Sequence, residues 1–406
     1  MSTTKPLSLF QAFGVELEYM IVDADTLAVR PITDRVLHAV AGQYVAEVEL
    51  DDVAWSNELA LHVIELKTNG PAGSLAPLSA AFQSHVGRIN ELLEPMGARL
   101  MPTAMHPWMD PDRELQLWPH EYNPVYEAYN RIFDCRGHGW ANLQSVHLNL
   151  PFADDGEFGR LHAAIRLLLP ILPALAASSP VMDRRLNGVA DNRMEVYRNN
   201  SLRVPSVAGQ VIPEPVFTRG DYQRQIFQPM YDEIAPLDPQ RILQHEWLNS
   251  RGAIARFDRN TIEIRVLDVQ ECPAADLAIC ELTVGVLNAM TQERWTTAAE
   301  QQSFGVAPLA QIFLDVVRDA DEAIIEDPAY LAQFGIKGDR ASANELWQHL
   351  AAEVSGSIAR GDVLTTILKR GPLSRRIRRA LGDDVSRLEI VYRELCDCLT
   401  AGRMFA

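Results

Sequence analysis

Short runs in which apolar and polar residues alternate recur through the first two thirds of the chain. This alternation, with a period of two, is typical of β-strands that bury one face. Because the runs lie far apart in the sequence, they predict one mixed sheet built from distant segments. The predicted strands are residues 13–22, 58–68, 100–104, 145–150 and 261–269.

A second pattern, with apolar residues three and four positions apart, predicts helices. Residues 74–96 show it over about six turns and should form an amphipathic helix that covers one face of the sheet. Asn123-Pro124 predicts the start of a shorter helix that ends at Phe133, because proline is favoured in a first helical turn. Residues 154–177 form a second long helical stretch. After residue 273 the helical pattern dominates, over residues 274–291, 309–323, 344–354 and 385–399.

These patterns predict an α+β fold with a helical C-terminal third. No linker rich in Pro, Gly or Ser, internal repeat or low-complexity tract divides the chain. We therefore expect a single domain over residues 1–406, with a sheet-containing core at 1–272 and a helical elaboration at 273–406. Residues 202–221 contain three prolines and little periodicity, which predicts a long irregular loop of the kind that lines binding sites.

Composition and charge narrow the function classes. The 406 residues are 47% hydrophobic, 22% charged and 7% aromatic, as is typical of soluble globular proteins. The formal net charge of −17 argues against nucleic acid or an anionic membrane as a partner. Five scattered cysteines fit a reducing cytoplasm better than a disulfide framework. The N-terminus lacks a long apolar stretch, and the most apolar run, 167–177, contains two prolines, so we expect neither export nor a membrane span.

Glutamates on the first two predicted strands are candidate metal ligands. Glu16 and Glu18 lie two positions apart and therefore share one strand face. Adjacent like charges need a compensating cation such as an oxygen-ligated divalent metal ion; the alternative is the solvated face of an amphipathic strand. Glu58 and Glu65 would face opposite sides of a regular strand, so both can point to one site only across a bulge or bend. Otherwise Glu58 faces solvent and Glu65 is a charge at the strand end.

Two later strands carry polar residues that alternate in the same way. His147 and Asn149 share one face of their strand, where a lone histidine is either a structural residue or a metal ligand. Glu263 and Arg265 share one face of the last strand, and Asp268 continues the polar phase. Such a face can hold a cation with Glu263 and a phosphate oxygen with Arg265; the alternative is an ion pair on a sheet surface.

Taken together, these strands predict a metal and phosphate site on one face of the sheet. Several acids with a single histidine favour Mg²⁺ or Mn²⁺ over zinc. The sequence contains no phosphate loop of the GxxxxGK(S/T) kind, so nucleotide phosphates would be held by metal ions and arginines.

Four segments resemble, in the same order, motifs of the glutamate–cysteine ligase family 2 of carboxylate–amine ligases. GVELEYMIVD (14–23) is similar to the family's GVEEEF-type opening, and SVHLNLP (145–151) to its HVHVGV-type strand. PALAASSPVMDRRLNGVADNR (173–193) is similar to its LSANSP block with the loop and arginine that follow, and TIEIRVLDVQ (261–270) to its GTxEVRVxDxQ signature. The four motifs span about two thirds of the chain.

The resemblance implies a fold, cofactors and a reaction. The fold is glutamine-synthetase-like: a curved, largely antiparallel sheet packed by helices, with Mg²⁺ and ATP held on its concave face in one catalytic domain. A glutamate-like carboxylate attacks the γ-phosphate of ATP to give an acyl phosphate. An amine, cysteine by the family's default, then captures the acyl group to form an amide, with release of ADP and phosphate. The implied partners are these small-molecule substrates, and homo-oligomerisation is left open.

The resemblance also implies roles for particular residues. Arg265 would contact the transferring phosphate and, with Glu263, would be catalytic. The implied metal ligands are Glu16, Glu18, Glu58, Glu65, His147 and Glu263. The implied substrate- or nucleotide-binding residues are Arg193, Arg198, Arg256, Arg265 and Asn149.

The chain departs from the family pattern at two motifs. Leu17 replaces the middle glutamate of the EEE triplet, and only His147 remains of the two histidines in the HVHVGV-type strand. We therefore expect one metal or substrate contact to differ. Two other functions follow as alternatives: a non-catalytic family member with a regulatory or binding role, and a metal-dependent hydrolase that uses no ATP.

A cluster of basic residues lies outside the resemblance, in the helical third. We expect it to form a solvated helix face, with subunit contact or polyanion binding as the alternative. Its members are Lys369, Arg370, Arg375, Arg376, Arg378 and Arg379.

Overall fold

The computed structural model describes residues 6–382 and 384–405, which form one main sheet surrounded by helices. The main sheet has eight strands and every pairing in it is antiparallel. Its strands are β1 (Gly14–Asp23), β2 (Glu47–Leu50), β3 (Val53–Asn57), β4 (Val63–Thr68), β5 (Ala98–Met101), β6 (Ser145–Pro151), β9 (Ala253–Arg256) and β10 (Thr261–Asp268). Two short hairpins supply β7 (Val181–Met182) with β8 (Arg185–Leu186), and β11 (Ile324–Ile325) with β12 (Ala341–Ser342).

Strand β1 lies at the centre of the main sheet. The order is β2-β3-β4-β1-β6-β10-β9, and β5 pairs with the C-terminal half of β1. In this register Glu18 lies opposite Glu65 on β4, while Glu16 lies opposite His147 on β6. Glu263 on β10 lies opposite Asn149 on β6. The sheet order thereby brings residues from distant sequence positions to one place.

The predicted helices are confirmed with shifted ends, and several short helices are added. The segment predicted as one helix over 154–177 is divided into two helices, because Pro170 and Pro173 cannot continue the hydrogen-bond ladder. The helices before the C-terminal third are α1 (Thr33–Ala41), α2 (Leu78–Leu93), α3 (Pro111–Glu114), α4 (Asn123–Phe133), α5 (His138–Ala141), α6 (Asp155–Leu168), α7 (Pro173–Ala176), α8 (Asn192–Tyr197), α9 (Arg219–Tyr222) and α10 (Gln228–Ile234). Those of the C-terminal third are α11 (Pro273–Thr291), α12 (Ala298–Gln302), α13 (Val306–Asp319), α14 (Pro328–Ala332), α15 (Ala343–Glu353), α16 (Gly361–Arg370), α17 (Leu373–Leu381) and α18 (Leu388–Ala401).

The apolar face of the sheet packs against helices. Val15, Leu17 and Ile264 are fully buried in one apolar cluster that also contains side chains of α2, α6 and α11. Helix α11 is long and apolar enough to cross a membrane by length and composition, but 78% of its apolar window is buried within the protein. It is therefore a core helix. The core covers one face of the sheet. The polar face of β1, β6 and β10 is therefore available to bind ligands.

The single strand predicted over 58–68 is confirmed only for residues 63–68. Strand β3 ends at Asn57 and β4 begins at Val63, so Glu58 lies in the connection between two paired strands and Glu65 lies within β4. The required bend is thus a strand connection rather than a bulge. Sequence patterning missed β2 and β3, because they are short and β3 is buried at all five positions instead of alternating.

The expectation of a solvated basic face is wrong for two of its six residues. Arg376 is buried and pairs with the buried carboxylate of Glu271. Arg375 lies 2.8 Å from carboxylate oxygens of Asp321 and Glu322. Arg376 faces the protein interior from α17, whereas Arg375 is about one-quarter exposed and lies at the edge of that helix, because a helix places consecutive residues on different faces.

Candidate active site

Two adjacent cavities lie on the polar face of the sheet. The larger, of about 1030 Å³, is lined from β1, β4, β6, β9 and β10, and the smaller, of about 190 Å³, lies against α4, α5 and α8. Glu58, His147 and Arg265 line both cavities. These three residues therefore mark the boundary at which groups bound in the two cavities would meet.

His147 is the centre of a cluster of carboxylates. Its Nδ1 lies 2.7 Å from Glu16 Oε2 and 3.9 Å from Glu263 Oε1. Its Nε2 lies 3.8 Å from Glu18 Oε1. The sheet register produces this arrangement, because β6 pairs with β1 on one side and with β10 on the other. Five residues that the sequence predicted as metal ligands form two overlapping groups whose ligand atoms lie within 4.8 Å of one another: Glu16, His147 and Glu263, and Glu18, Glu65 and His147.

Ser145 and Ser56 orient the outer carboxylates of this cluster. The backbone N–H of Ser145 donates to Glu18 Oε2 at 2.6 Å, and its hydroxyl lies 2.9 Å from His147 Nε2. On the neighbouring strand, the Ser56 hydroxyl donates to Glu65 at 2.5 Å. Both glutamates are almost completely buried. Their positions are therefore fixed by hydrogen bonds rather than by solvent.

Burial and neighbouring charges shift the pKa values of these groups in different directions. Burial raises the pKa of Glu16, but the hydrogen bond and charge of His147 outweigh it and lower that pKa to about 2. Burial lowers the pKa of His147, but the hydrogen bond to Glu16 raises it to about 9. Burial and the charge of Glu16 raise the pKa of Glu65 to about 7. Burial and the charges of Glu18 and Glu65 raise the pKa of Glu58 well above its usual range.

This donor set fits a hard divalent cation. Four carboxylates and one imidazole converge in two groups, and buried like charges at such distances are costly unless a cation joins them. Oxygen-rich ligand sets suit Mg²⁺ and Mn²⁺, whereas structural zinc sites use Cys and His. Glu58 lies in neither group and reaches the cluster from the β3–β4 connection.

Arg265 and Arg256 bring positive charge to the same cluster. Arg265 Nε lies 3.2 Å from Glu263 Oε1, and the side chain is one-quarter exposed, towards the cavities. Arg256 lies 3.1 Å from Asp258 and 4.0 Å from Glu263, and it lines the large cavity. A partly exposed guanidinium beside carboxylates can contact a phosphate that the carboxylates would otherwise repel.

The other predicted binding residues differ in how closely they approach the cavities. Asn149 lines the large cavity and donates through Nδ2 to Glu16 Oε1 at 3.0 Å. Arg193 lines the small cavity but is only 2% exposed and bonds to protein groups. Arg198 lines neither of these two cavities and pairs with Glu195 one turn away on α8. The structure therefore brings together every predicted site residue except Arg198.

Sequence reasoning missed Lys67 and the walls of the small cavity. Lys67 Nζ lies 2.6 Å from Glu47 Oε2 and 3.4 Å from Glu65 Oε2, and the side chain lines the large cavity. The spacing of two between residues 65 and 67 could have revealed it. The aromatic walls of the small cavity come from four elements that are distant in sequence, so no single pattern marks them: Tyr126 and Tyr129 on α4, Trp140 on α5, Tyr197 on α8, and Trp247 in a short turn of helix at 246–248.

A solved structure with the same fold is a glutamate–cysteine ligase from Francisella tularensis in complex with AMP. The match has a TM-score of 0.63 and covers 98% of this chain and 89% of that one, at 11% sequence identity. The predicted glutamine-synthetase-like α+β fold is thereby confirmed.

Sequence comparisons give the family. An uncharacterized Archaeoglobus fulgidus protein is 38% identical over 280 residues, which cover 69% of this chain and 75% of that protein. A Corynebacterium glutamicum protein provisionally named glutamate–cysteine ligase 2 is 25% identical over 331 residues, 77% of this chain and 79% of that protein. Residues 12–312 match glutamate-cysteine ligase family 2. The predicted resemblance is confirmed, and this chain belongs to glutamate-cysteine ligase family 2.

Proposed function

We propose that the protein is an ATP- and Mg²⁺-dependent ligase that joins a glutamate-like carboxylate to an amine. Family membership supports a carboxylate–amine ligase. The observation that carries the finer proposal is the cluster of carboxylates around His147, which stands with Arg265 at the boundary between a large and a small cavity. In this proposal ATP binds in the large cavity, and the two organic substrates bind in the small one.

In this proposal different residues bind the metal ions and the phosphate. Glu16 and Glu263 would hold one divalent cation, and Glu18 and Glu65 would hold a second. His147 would ligate only one of the two, because a neutral imidazole has a single free nitrogen lone pair. Bound divalent cations would supply charge neutralisation at the phosphates of ATP. The guanidinium of Arg265 would contact the oxygens of the γ-phosphate, which carry the charge that develops during in-line transfer.

The reaction then has two balanced steps. An oxygen of the substrate carboxylate bonds to the γ-phosphorus as the bond to the β-phosphate oxygen breaks, which releases ADP. The amine nitrogen then bonds to the acyl carbon as the carbon–oxygen bond to phosphate breaks, and the amine loses a proton.

Manganese is the expected substitute for Mg²⁺, because both ions accept octahedral oxygen-rich coordination.

The walls of the small cavity suit an amine substrate. Aromatic faces attract alkylammonium groups, and the buried carboxylate of Glu18 adds negative charge. Arg265 supplies positive charge for the carboxylate substrate in the same cavity. A volume of about 190 Å³ restricts both substrates to small molecules. Cysteine as the amine is the default of the family.

The position of Leu17 weighs against a non-catalytic role. Leu17 is fully buried, and its partners Leu66 and Val146 also point into the apolar core. The leucine that replaces the middle glutamate of the EEE motif therefore removes no carboxylate from the polar face. The cluster around His147 is complete without it.

The proposed function is tested by Mg²⁺-dependent ADP release. Purified protein is incubated with ATP, glutamate and one member of a panel that includes cysteine, other amino acids and polyamines, and product masses are determined. ADP release that requires one amine, with the condensed mass present, would support the ligase. ATP binding without release for any pair would favour the regulatory alternative, and activity without nucleotide would favour the hydrolase.

Lys67→Met is expected to raise the KM for ATP about tenfold, an effect of about 1.4 kcal/mol, with little change in kcat. The physical reason is that Lys67 is the cation at the β4 side of the large cavity and offsets Glu47 and Glu65. Steady-state kinetics at varied ATP concentration measure the KM and kcat of this variant. Exposed Lys369→Met is the control, and an unchanged KM in Lys67→Met would remove this lysine from the nucleotide site.

Metal affinity is expected to fall as the pH drops through about 7. The pKa of Glu65 is raised to about 7, so below that pH the carboxyl carries a proton that a metal ion must displace. His147, with a pKa raised to about 9, must also lose a proton. Affinity should therefore change by roughly tenfold per pH unit for each proton displaced.

Calorimetric titration with Mn²⁺ in buffers of different ionisation enthalpy measures the released protons. Glu65→Gln should release one proton fewer than the unaltered protein near pH 6. Metal affinity that is constant between about pH 6 and pH 8 would contradict the assignment of Glu65 and His147 as ligands.

We also propose the cytoplasm as the location of the reaction. All five cysteines are buried and free, as a reducing compartment leaves them. ATP is available in that compartment.

A further inference from the structure

Strand β10 contains a β-bulge beside the predicted catalytic residues. Ile264 pairs with Leu148 on β6, but the next recorded pair is Leu267 with Val146, so β10 has one extra residue opposite His147. Such a bulge bends the strand and re-aims the side chains next to it. Strict alternation would place residue 268 on the face opposite residues 263 and 265, so the polar phase predicted for Asp268 depends on the shift that the bulge introduces. The bulge therefore brings Asp268 to the polar side.

The backbone of Arg265, at the bulge, is held on both sides. Its N–H donates to the carbonyl of Gly252 at 2.9 Å. Its carbonyl accepts from both terminal nitrogens of Arg193, at 3.2 and 3.1 Å. These bonds anchor the residue where the ladder with β6 is interrupted.

Arg193 is itself anchored to the other end of the bulge. Its Nε donates to Asp268 Oδ1 at 2.5 Å, and both side chains are almost fully buried. Asp268 Oδ2 accepts from the N–H of Ser178 at 2.8 Å and from the hydroxyl of Ser179 at 3.0 Å. One guanidinium thus joins the carbonyl of residue 265 to the side chain of residue 268, and Ser178 and Ser179 hold that side chain.

We propose that Arg193 and Asp268 are positioning residues that clamp the bulge and thereby set the aim of the Arg265 guanidinium. This inference rests on the proposed function, in which Arg265 contacts the transferring phosphate. Arg193 acts here through the backbone of Arg265, a role different from the direct substrate contact that the resemblance implies. Neither Asp268 nor its partner Ser179 lines either of the two cavities, so an effect of these two residues on turnover would pass through the clamp.

The test is a double-mutant cycle between Arg193→Lys and Arg265→Lys, with kcat and KM measured for ADP release. A lysine retains the charge of Arg193 but cannot bond to Asp268 and the Arg265 carbonyl in the same fork. Arg376→Lys is the matched control, because Arg376 is an equally buried arginine paired with a buried glutamate, Glu271, in the helical third. Thermal unfolding of each variant monitors the fold.

Arg193→Lys is expected to lower kcat by roughly 10- to 100-fold, as loss of groups that orient a reactive residue commonly does. The KM for the carboxylate should change less than about threefold. The kcat of the double variant should lie within about threefold of that of Arg265→Lys alone, because the effects of coupled residues on kcat are not additive. The control should lose stability but keep its kcat. Additive effects, or a raised carboxylate KM with unchanged kcat, would overturn the inference.

Two further measurements keep the inference testable if an assay fails. If Arg193→Lys does not fold, Ser179→Ala removes one bond to Asp268; a lower kcat with unchanged KM supports the clamp, and an unchanged kcat overturns it. If the unaltered protein releases no ADP with any substrate pair, the proposed function fails. In that case calorimetry measures the affinity of the same variants for ATP in the presence of Mg²⁺. A non-additive loss of ATP affinity in the double variant supports the clamp, and an additive loss overturns it.

Discussion

Arg265→Ala is expected to lower kcat for ADP release by about 10³-fold, the lower end of the effect of arginines that stabilise phosphoryl transfer. Arg265 is the arginine that lines both cavities together with His147 and Glu58, so it is placed where the γ-phosphate and the carboxylate would meet. The loss should appear in kcat more than in the KM for ATP, because the interaction strengthens as charge develops on the transferring group.

The measurement is steady-state ADP release with the substrate pair that the panel identifies. Arg294→Ala is the matched control, since Arg294 also pairs with a glutamate, at 2.8 Å from Glu353, but lies outside both cavities. The fold should persist in both variants, as judged by circular dichroism. Turnover of Arg265→Ala within about threefold of the unaltered protein would refute the role of this arginine in phosphoryl transfer.

Glu263→Gln is expected to lower metal-dependent turnover by about 10³-fold or more, because charge stabilisation by a bound metal ion is worth several kcal/mol. Glutamine has nearly the same shape but is neutral, so it removes one of the carboxylates near His147 and also the partner of Arg265. The fold should persist, because fewer like charges then converge in the buried cluster.

Turnover as a function of Mg²⁺ and Mn²⁺ concentration measures this effect together with any weakening of metal affinity. Glu281→Gln is the matched control: Glu281 is also a buried glutamate paired with an arginine, Arg360, but it lies on α11 away from the cavities. Equal activity of the Glu263 variant and the unaltered protein would show that this carboxylate holds no catalytic metal ion.

Alternation along single strands accounts for most of the site. The spacing of two placed Glu16 with Glu18 and His147 with Asn149, and the structure has each of these pairs on the polar side of the sheet. The polar faces of the separate strands, taken together, then predicted one metal and phosphate site. The same reasoning could not assign Glu58, because its position depends on a strand connection that the pattern of residues 58–68 does not reveal.

The contacts of two residues, Arg193 and Lys67, could not be predicted from motifs alone. Arg193 matches a family arginine, but only its bonds to Asp268 and to the Arg265 carbonyl show that its donors point into the protein. Lys67 carries no motif, yet the sheet order places it beside Glu47 and Glu65 at the large cavity. These contacts join residues that are far apart in the sequence, so a local sequence pattern cannot predict them.

The sequence by itself determined the α+β class, the helical C-terminal third and the strand faces that carry carboxylates, because these properties follow from local periodicity and side-chain chemistry. Only the tertiary structure decided that β1 lies between β4 and β6, which strand pair holds Glu58, and where β10 bulges opposite His147. Strand order and register are set by long-range pairing and by packing of the apolar face. For this reason the convergence of acids, histidine and arginine becomes visible only in the folded sheet.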